Sequence, residues 1–424
     1  MKQPLAGWDL ATWRISQSDP SKVANIVSVV EVSGLISREL LTSRLTRSLS
    51  NFPLLRMAVF DDDGIYLREL IDLKPHEFIQ VSNEDVETVV ERLARKRVGI
   101  GERLWEVVLV HRSAKSYIIS SIHHAVADGN SAMLMMNSLF DGNQFLERSP
   151  KSSTDQKEND LFEIFKSSAG SIVARLVSDP AGLAQDATSI LKSATRLLAT
   201  NAEGKTKTVS NNFSHQFFRI DKTKLRSVAS SYQVSNHDLM TAISVLAFCE
   251  YQIQKNLDSK FVTVNVPIAM NLDDAVENKL VVARIEIPTK HESIQSLILG
   301  CRDALKKWRN EPALVLASRM VELANFLPLE FITESLNKSD ITVSSLAGTS
   351  QIIRMAGYEI TGVWPVMPPV GAAINFTSLG LNNQTHLGIT IDRAAIDDLD
   401  VWRSSWAFAI KTVLGFDIFE QIFE

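Results

Sequence analysis

Cysteine is scarce in this sequence of 424 residues, which contains only Cys249 and Cys301. The two do not form a CxxC pair, and no HExxH motif occurs in the chain, so neither a disulfide framework nor a zinc site of these types is predicted. So few cysteines are typical of a protein from a reducing, cytoplasmic compartment. We therefore expect no resident metal and no cofactor.

Several other features are missing as well. No apolar run reaches the roughly 20 residues that span a membrane, and the N-terminus lacks a charged region followed by an apolar signal segment. The 44 basic residues are outnumbered by 49 acidic ones, and the resulting net charge of −5 argues against nucleic-acid binding. There is no glycine-rich phosphate loop, and the lack of a GxSxG elbow means that no acyl-serine intermediate is indicated.

Length and composition predict the architecture. Hydrophobic residues make up 45% of the chain and charged residues 22%, which is typical of a soluble globular protein. A chain of this length is too long for one ordinary core, so two domains are expected. Strand and helix patterns alternate in residues 1–150 and again in 213–424, while 151–212 contain polar stretches and two amphipathic helices. We predict an α/β (α+β) protein with two domains and a helical linker at these boundaries.

The most informative stretch lies at the end of a β-branched run, residues 117–122. The run delivers two adjacent histidines, His123 and His124, and Asp128 and Gly129 follow a short loop. Apolar residues at helical spacing come next, so the pattern predicts a strand, a loop and a helix. Because side chains alternate along a strand, only one of the two imidazoles can face a given surface.

A neutral imidazole accepts a proton readily near pH 7, so a histidine at this strand end suits general base catalysis. A structural histidine would explain one of the two rings, but not the pair together with Asp128 and Gly129. A zinc site would need further ligands at ligand spacing, and the two cysteines do not provide it.

Residues 123–129 resemble the HHxxxDG motif of CoA-dependent acyltransferases and peptide-synthetase condensation domains, with all fixed positions matched. The resemblance implies two chloramphenicol-acetyltransferase-like domains with a channel between them. It also implies that His124 deprotonates an acceptor hydroxyl, which attacks the thioester of an acyl-CoA substrate. His123 is then expected to have a packing or positioning role, and Asp128 to hold the loop.

Further segments resemble the wax ester synthase/diacylglycerol acyltransferase family over nearly the entire chain. They are Pro4-Leu5 with Asp9, Leu104-Trp105-Glu106, His237-Asp238, 363–366, Asn375-Phe376-Thr377 and 388–398. The chain departs from the family at Arg103, where proline is expected, and at His237, where asparagine is usual. Residues 343–348 also lack both prolines of the family's Ser-Asn-Val-Pro-Gly-Pro turn.

This resemblance implies substrate-binding roles for Trp105, Asp238, Asn375 and Thr377, with Asn375 or Thr377 as oxyanion donors. It implies a long-chain alcohol or diacylglycerol as acceptor, so that the product is a wax ester or a triacylglycerol. The linker helices permit peripheral contact with a membrane or a lipid droplet. No feature of the sequence predicts an oligomeric state.

Arg56 is the only charge in an apolar stretch, residues 54–60, that reads as a strand. A lone arginine most often projects into solvent, but an arginine in a similar Leu-Arg context partners the motif aspartate in condensation domains. We therefore predict an ion pair between Arg56 and Asp128.

Two other functions stay open. One is a condensation-type acyltransferase that uses carrier-protein thioesters to form an ester or an amide. The other is a non-catalytic lipid-binding homologue, which the intact histidine motif argues against.

Overall fold

The computed structural model describes residues 2–19, 22–142, 210–269, 280–309, 339–369 and 371–421, together with Leu329 and Phe423. The predicted linker, residues 151–212, lies outside the described residues apart from 210–212. Among the residues described, no helix is both long enough and apolar enough to cross a membrane.

Short strands and helices alternate through the part of the chain before residue 143. They are β1 (Lys2–Pro4), α1 (Gly7–Ser18), β2 (Asn25–Val32), α2 (Arg38–Asn51), β3 (Met57–Asp62), β4 (Ile65–Leu70), β5 (Ile79–Ser82), α3 (Val86–Arg95), β6 (Trp105–Arg112), β7 (Lys115–His123) and α4 (Gly129–Asn137). Two 3₁₀ turns, Pro53–Arg56 and Pro75–Phe78, precede β3 and β5. Helix α2 begins where it does because the Ser37 side chain accepts the Leu40 amide at 3.2 Å.

The part after residue 209 continues in the same style with longer helices. It contains β8 (Phe213–Asp221), α5 (Lys222–Ser231), α6 (Asn236–Gln254), β9 (Phe261–Ala269), β10 (Leu280–Pro288), α7 (Ile294–Arg309), β11 (Ile341–Thr349), β12 (Arg354–Met355), β13 (Tyr358–Val366), β14 (Ile374–Leu381), β15 (Gln384–Asp392) and α8 (Leu399–Leu414). Helix α6 is buried on nearly all sides because α8 and the strands below it enclose an apolar sequence.

The strands form two large sheets and one small one. The first large sheet has the order β12-β13-β2-β7-β6-β5, and the second has the order β10-β9-β11-β14-β15-β8. The small sheet, β1-β4-β3, lies beside the first. The pattern agrees with the mixed α/β architecture expected from the alternation of strands and helices.

One strand pair crosses between the predicted domains. β13 belongs to the second half of the sequence, yet it pairs antiparallel with β2 in the first large sheet, with Val363 opposite Val30. Its residues Ile360, Val363, Trp364 and Val366 are almost completely buried, as expected for a strand covered on both faces. The predicted domain 213–424 therefore contributes β12 and β13 to the other sheet, a crossing that the sequence division did not include.

A buried carboxylate joins the two large sheets. Glu31 on β2 is 0% exposed and accepts hydrogen bonds from Arg219 on β8 at 2.7 Å, Thr361 on β13 at 2.5 Å and Tyr117 on β7 at 3.1 Å. Burial alone would raise the pKa of Glu31. The Thr361 and Arg219 hydrogen bonds, with the charges of Arg219 and Lys115, outweigh burial and hold that pKa below its ordinary 4.5.

Candidate active site

Strand β7 delivers the two histidines to the edge of the first large sheet. His123 is its last residue and lies opposite Asn25 on β2. The backbone then turns sharply, because the His124 amide donates to the Ala24 carbonyl at 2.7 Å and the Val126 amide donates to the His123 carbonyl at 2.9 Å. Strand, loop and helix follow each other as the residue pattern predicts.

His123 is a structural residue. It is 1% exposed, and its Nδ1 accepts the Ala125 backbone amide at 3.1 Å. Because that amide can only donate, Nε2 carries the ring proton and donates to the Ser16 hydroxyl at 3.1 Å. The Trp13 ring packs against it edge to face, with centroids 5.4 Å apart. Burial, and to a lesser degree the charge of His124, lowers the pKa of His123 to about 3, so the ring stays neutral.

His124 differs from its neighbour because it is only partly buried. Burial lowers the pKa of His124 below its ordinary 6.5, while the charge of Asp128 acts in the opposite direction. A histidine with a lowered pKa is neutral near pH 7 and can accept a proton. Of the two motif histidines, His124 is therefore the one that a substrate can reach in the protonation state of a general base.

Asp128 and Gly129 shape the start of α4. Asp128 is 7% exposed and caps the helix, since its Oδ1 accepts the Ser131 amide at 2.8 Å. A Cβ atom on Gly129 would lie 3.0 Å from the side-chain ends of both Leu346 and Met367. Leu346 lies on β11 of the second large sheet, so the motif sits where the two large sheets approach each other.

The predicted ion pair between Arg56 and Asp128 is wrong. Neither side chain makes an ion pair with the other within the described part of the chain, and the Asp128 carboxylate serves the helix cap instead. Pro53 starts a 3₁₀ turn that ends at Arg56, and β3 begins only at Met57. Arg56 is thus not a strand residue aimed at the motif, which was the basis of the prediction.

A different arginine, Arg68 on β4, contacts the motif loop. Its Nη1 donates to Asp9 Oδ2 on α1 at 2.8 Å and also lies 3.4 Å from the carbonyl oxygen of Ala125, within the motif loop. Asp9 was recognised in the opening of the chain, but Arg68 was not singled out. The available signal was the strand pattern of residues 65–69, which places Tyr66 and Arg68 on the same face. This pattern does not specify which residue Arg68 contacts.

Two residues predicted to bind substrate, Trp105 and Asp238, have structural roles. Trp105 is 1% exposed, and its ring lies 6.2 Å from that of Phe78 in the core of the first half. Asp238 is 3% exposed and forms a capping box at the start of α6. The Asp238 carboxylate accepts the Ser235 amide at 2.9 Å, and the Ser235 hydroxyl accepts the Asp238 amide at 3.1 Å. A substrate-binding role for these two residues stays a prediction.

Asn375 and Thr377 lie on β14 of the second large sheet, and both are buried. The Thr377 hydroxyl donates to Asn375 Oδ1 at 2.7 Å, which orients the amide so that Nδ2 points toward the carbonyl of Pro368, 3.4 Å away. Pro368 follows Met367, the residue that approaches Gly129. Their role as oxyanion donors stays a prediction.

His237 belongs to a set of polar residues that sequence reasoning did not connect. Its Nδ1 lies 2.9 Å from the Ser345 hydroxyl on β11, and that hydroxyl lies 2.9 Å from the Ser378 hydroxyl on β14. Ser345 directly precedes Leu346, which approaches the motif. Both His237 and Ser345 fall in segments where the chain departs from the family it resembles.

An apolar pocket lies between α4 and the strands β2 and β7. The pocket is small and opens to solvent. The lining residues are Ile26, Val27, Ser28, Ser120, Ile122, Gly129, Ala132, Met133, Met136, Leu346, Pro365 and Met367. The hydroxyls of Ser28 and Ser120 hydrogen-bond to each other at 2.8 Å, which satisfies the two polar groups in this wall. Across the described residues, no group of three or more histidine, cysteine or acidic side chains is arranged to hold a metal.

Two family models match the chain and together span almost all of it. The condensation-domain model matches residues 10–265, and the WS/DGAT C-terminal domain model matches residues 260–411. The chain belongs to the condensation-domain family and carries a wax ester synthase/diacylglycerol acyltransferase C-terminal domain. This membership makes the protein an acyltransferase, as the motif predicted. None of the curated proteins compared with the chain matches it.

Solved structures show the fold. The wax ester synthase/diacylglycerol acyltransferase from Marinobacter aquaeolei VT8 has a TM-score of 0.65 at 15% identity, covering 98% of this chain and 100% of that one. The starter condensation domain of rhizomide synthetase, in complex with C8-CoA and Leu-SNAC, has a TM-score of 0.62 at 13% identity, covering 99% and 97%. A trichothecene 15-O-acetyltransferase from Fusarium sporotrichioides has a TM-score of 0.65 at 11% identity, covering 98% and 95%. The predicted fold of two chloramphenicol-acetyltransferase-like domains is confirmed.

Proposed function

We propose that this acyltransferase moves a fatty acyl group from acyl-CoA to the hydroxyl of an apolar alcohol, either a long-chain alcohol or diacylglycerol. The observation that carries the proposal is the partly exposed His124, whose pKa burial lowers, beside a buried His123 whose two ring nitrogens are both hydrogen-bonded. A protein that needed only packing from this loop would not require the second, accessible imidazole. The WS/DGAT C-terminal domain supports the choice of a lipid substrate.

The chemistry follows from the position of the base. His124 accepts the proton of the acceptor hydroxyl as its oxygen attacks the thioester carbonyl carbon, and a carbon–oxygen bond forms. The tetrahedral intermediate then collapses, the carbon–sulfur bond breaks, and the leaving sulfur takes the proton back from the imidazolium. General base catalysis of this kind contributes about 10²–10⁴-fold to the rate. Neither step needs a metal or a further cofactor.

The apolar lining of the pocket beside the motif matches the chemistry of a fatty acyl chain as the donor group. The lining includes Gly129 of the motif and the side-chain ends of Leu346 and Met367, which approach each other closely. Met133 and Met136 also line it, and methionine side chains adapt readily to irregular apolar ligands. A chain that enters past Gly129 would leave its thioester close to the motif loop. Because such substrates partition into lipid, contact with a membrane or a lipid-droplet surface is part of the proposal.

A condensation reaction with a carrier-protein thioester is the second candidate. The condensation-domain model matches more of the chain than the WS/DGAT model does, and the rhizomide synthetase starter domain was solved with both an acyl-CoA and an aminoacyl thioester analogue. The two candidates differ in donor and acceptor but share His124 as the base. Loss of activity on mutation of this residue therefore supports acyl transfer without deciding the substrates.

The test is a matrix of donors and acceptors. Acetyl-CoA, octanoyl-CoA, palmitoyl-CoA and a palmitoyl carrier protein are each combined with hexadecanol, diacylglycerol and an amine, and both free thiol and the lipid product are measured. We expect palmitoyl-CoA with an alcohol to be the best pair and His124→Ala to lose at least about 100-fold in kcat. A preference for acetyl-CoA, for the carrier protein or for the amine would overturn the lipid ester proposal. A His124→Ala variant with native turnover would remove the base from the mechanism.

A further inference from the structure

Two chains of contacts from the start of the protein converge on the motif loop. In the first, Tyr66 on β4 packs against Trp13 on α1, edge to face, with ring centroids 6.2 Å apart. Trp13 is 0% exposed and meets the His123 ring in the same manner at 5.4 Å. This chain of rings ends on the residue that directly precedes His124.

The second chain of contacts ends on the residue that directly follows His124. Arg68 on β4 donates from Nη1 to Asp9 on α1 at 2.8 Å and to the Ala125 carbonyl at 3.4 Å. The Arg68 and Asp9 side chains are only 13% and 16% exposed, so their pairing is largely shielded from solvent. Both bonds come from the same nitrogen, so the carboxylate that orients the planar guanidinium also directs Nη1 to the carbonyl.

The sequence spacing makes these two chains of contacts a single unit. Asp9 and Trp13 are four residues apart on α1 and therefore share one face of the helix. Tyr66 and Arg68 are two residues apart on β4 and share one face of the strand. Each residue of the helical pair contacts one residue of the strand pair, so the two faces hold each other in register.

We infer that Asp9 and Arg68 are positioning residues for His124, and that α1 and β4 hold the general base at its place in the loop. The residues on either side of His124 are each tied to this unit, and the Ala125 amide also donates to His123 Nδ1 at 3.1 Å. The backbone at His124 consequently has little freedom to move. The inference rests on the proposed function for what His124 does, whereas the contacts that hold it are independent of the reaction.

Two variants distinguish a change in the position of His124 from a direct effect of the removed charge on its pKa. Asp9→Asn removes a negative charge and Arg68→Met removes a positive one, so as simple charges they would shift the pKa of His124 in opposite directions. A loosened loop admits water in both variants and raises that pKa toward 6.5 in both, because burial is what lowers it. The other groups that face His124, namely Asp128 at the start of α4 and His123 on β7, are the same in both variants.

The experiment measures kcat, KM and the pKa of His124 in the wild type and both variants. The pKa comes from an NMR titration of the imidazole signals, assigned with His124→Gln. We expect kcat to fall at least about tenfold with little change in KM, since misplacement of a catalytic group by about 1 Å costs on the order of 100-fold. We also expect the His124 pKa to rise in both variants. The control is Glu69→Gln, because Glu69 neighbours Arg68 but pairs at 2.8 Å with the exposed Lys2, and it should change neither quantity.

Opposite pKa shifts in the two variants, or a kcat within about twofold of the wild type in both, would overturn the inference. If Arg68→Met does not fold, Arg68→Lys replaces it. This variant keeps the charge but replaces the rigid guanidinium, whose Nη1 donates to both oxygens, by a flexible ammonium group, so kcat should still fall. If the wild type has no activity on any donor and acceptor, the proposed function fails. The NMR titration then still tests whether Asp9 and Arg68 position the ring.

Discussion

Replacement of Glu31 by glutamine tests whether the buried carboxylate between the two large sheets stabilises their contact. The substitution keeps the size of the side chain but removes the charge that faces Arg219. Breaking a buried ion pair by removing one partner typically costs about 3–5 kcal/mol. Arg219 is 30% exposed and retains its stacking on Trp364, 4.7 Å from the ring centroid, so it is partly stabilised without its partner. We therefore expect the lower end of that range, about 3 kcal/mol.

The dependence on pH distinguishes the ion pair from lost packing. Because the pKa of Glu31 is lowered on folding, its charge stabilises the native state fully above the unfolded value of 4.5, and this contribution disappears as pH falls through the folded pKa. The difference between wild type and Glu31→Gln in the free energy of unfolding should therefore be largest at pH 7 and shrink below pH 4.5.

The assay is urea denaturation of both proteins from pH 3 to pH 7, followed by tryptophan fluorescence. The control variant is Glu84→Gln, because Glu84 also pairs with an arginine, Arg92 at 2.9 Å, but at the protein surface. It should lose little stability, since exposed ion pairs contribute little. If Glu31→Gln is no less stable than Glu84→Gln at pH 7, or if its deficit does not change down to pH 3, the charge of Glu31 does not stabilise this contact.

Three further predictions follow from the site. kcat/KM should decline only as pH falls through the lowered pKa of His124, so a pH–rate profile whose acidic limb lies above 6.5 would contradict our assignment of the base. His123→Ala should lower the free energy of unfolding by at least about 2 kcal/mol, because the buried ring leaves a cavity beside Trp13; an unchanged urea midpoint would show that the ring is not part of the core. Asp238→Ala should lower stability by about 1 kcal/mol through loss of the capping box while kcat and KM stay native. A raised KM with native stability would return Asp238 to the substrate site.

The local structure of the site was predictable because it is encoded by neighbouring residues. The β-branched run before His123, the cap at Asp128 and the apolar spacing after it specify a strand, a loop and a helix within about 20 residues. The different burial of the two histidines arises at the end of β7, where His123 is the last strand residue and the backbone turns before His124. Contacts with distant residues, among them Ser16 and Ala24, then fix the position of the loop.

The contacts between residues far apart in the sequence were not predictable in the same way. Arg56 and Arg68 are both single arginines near apolar residues, and sequence reasoning chose Arg56 by its Leu-Arg context. The turn that Pro53 imposes removes Arg56 from the strand, while the antiparallel pairing of β3 with β4 carries Arg68 to Asp9. Which of the two reaches the motif depends on the pairing of strands, and the local pattern does not contain that information.

Strand β13 belongs to the second half of the chain but pairs within the first large sheet. This crossing explains why residues of the second half lie at a site whose general base, His124, belongs to the first half. Pro365 on this strand passes so close to β15 that a Cβ atom on Gly388 would lie 2.0 Å from its carbonyl oxygen, so only glycine permits the approach. Beyond the strand, Met367 reaches Gly129 and the Pro368 carbonyl meets the amide of Asn375. The same pairing with β2 that buries β13 thus brings the second large sheet to the motif. A domain boundary at residue 213 assigns Gly129 to one domain and Met367 and Asn375 to the other. The antiparallel pairing of β13 with β2 brings them together in the structure.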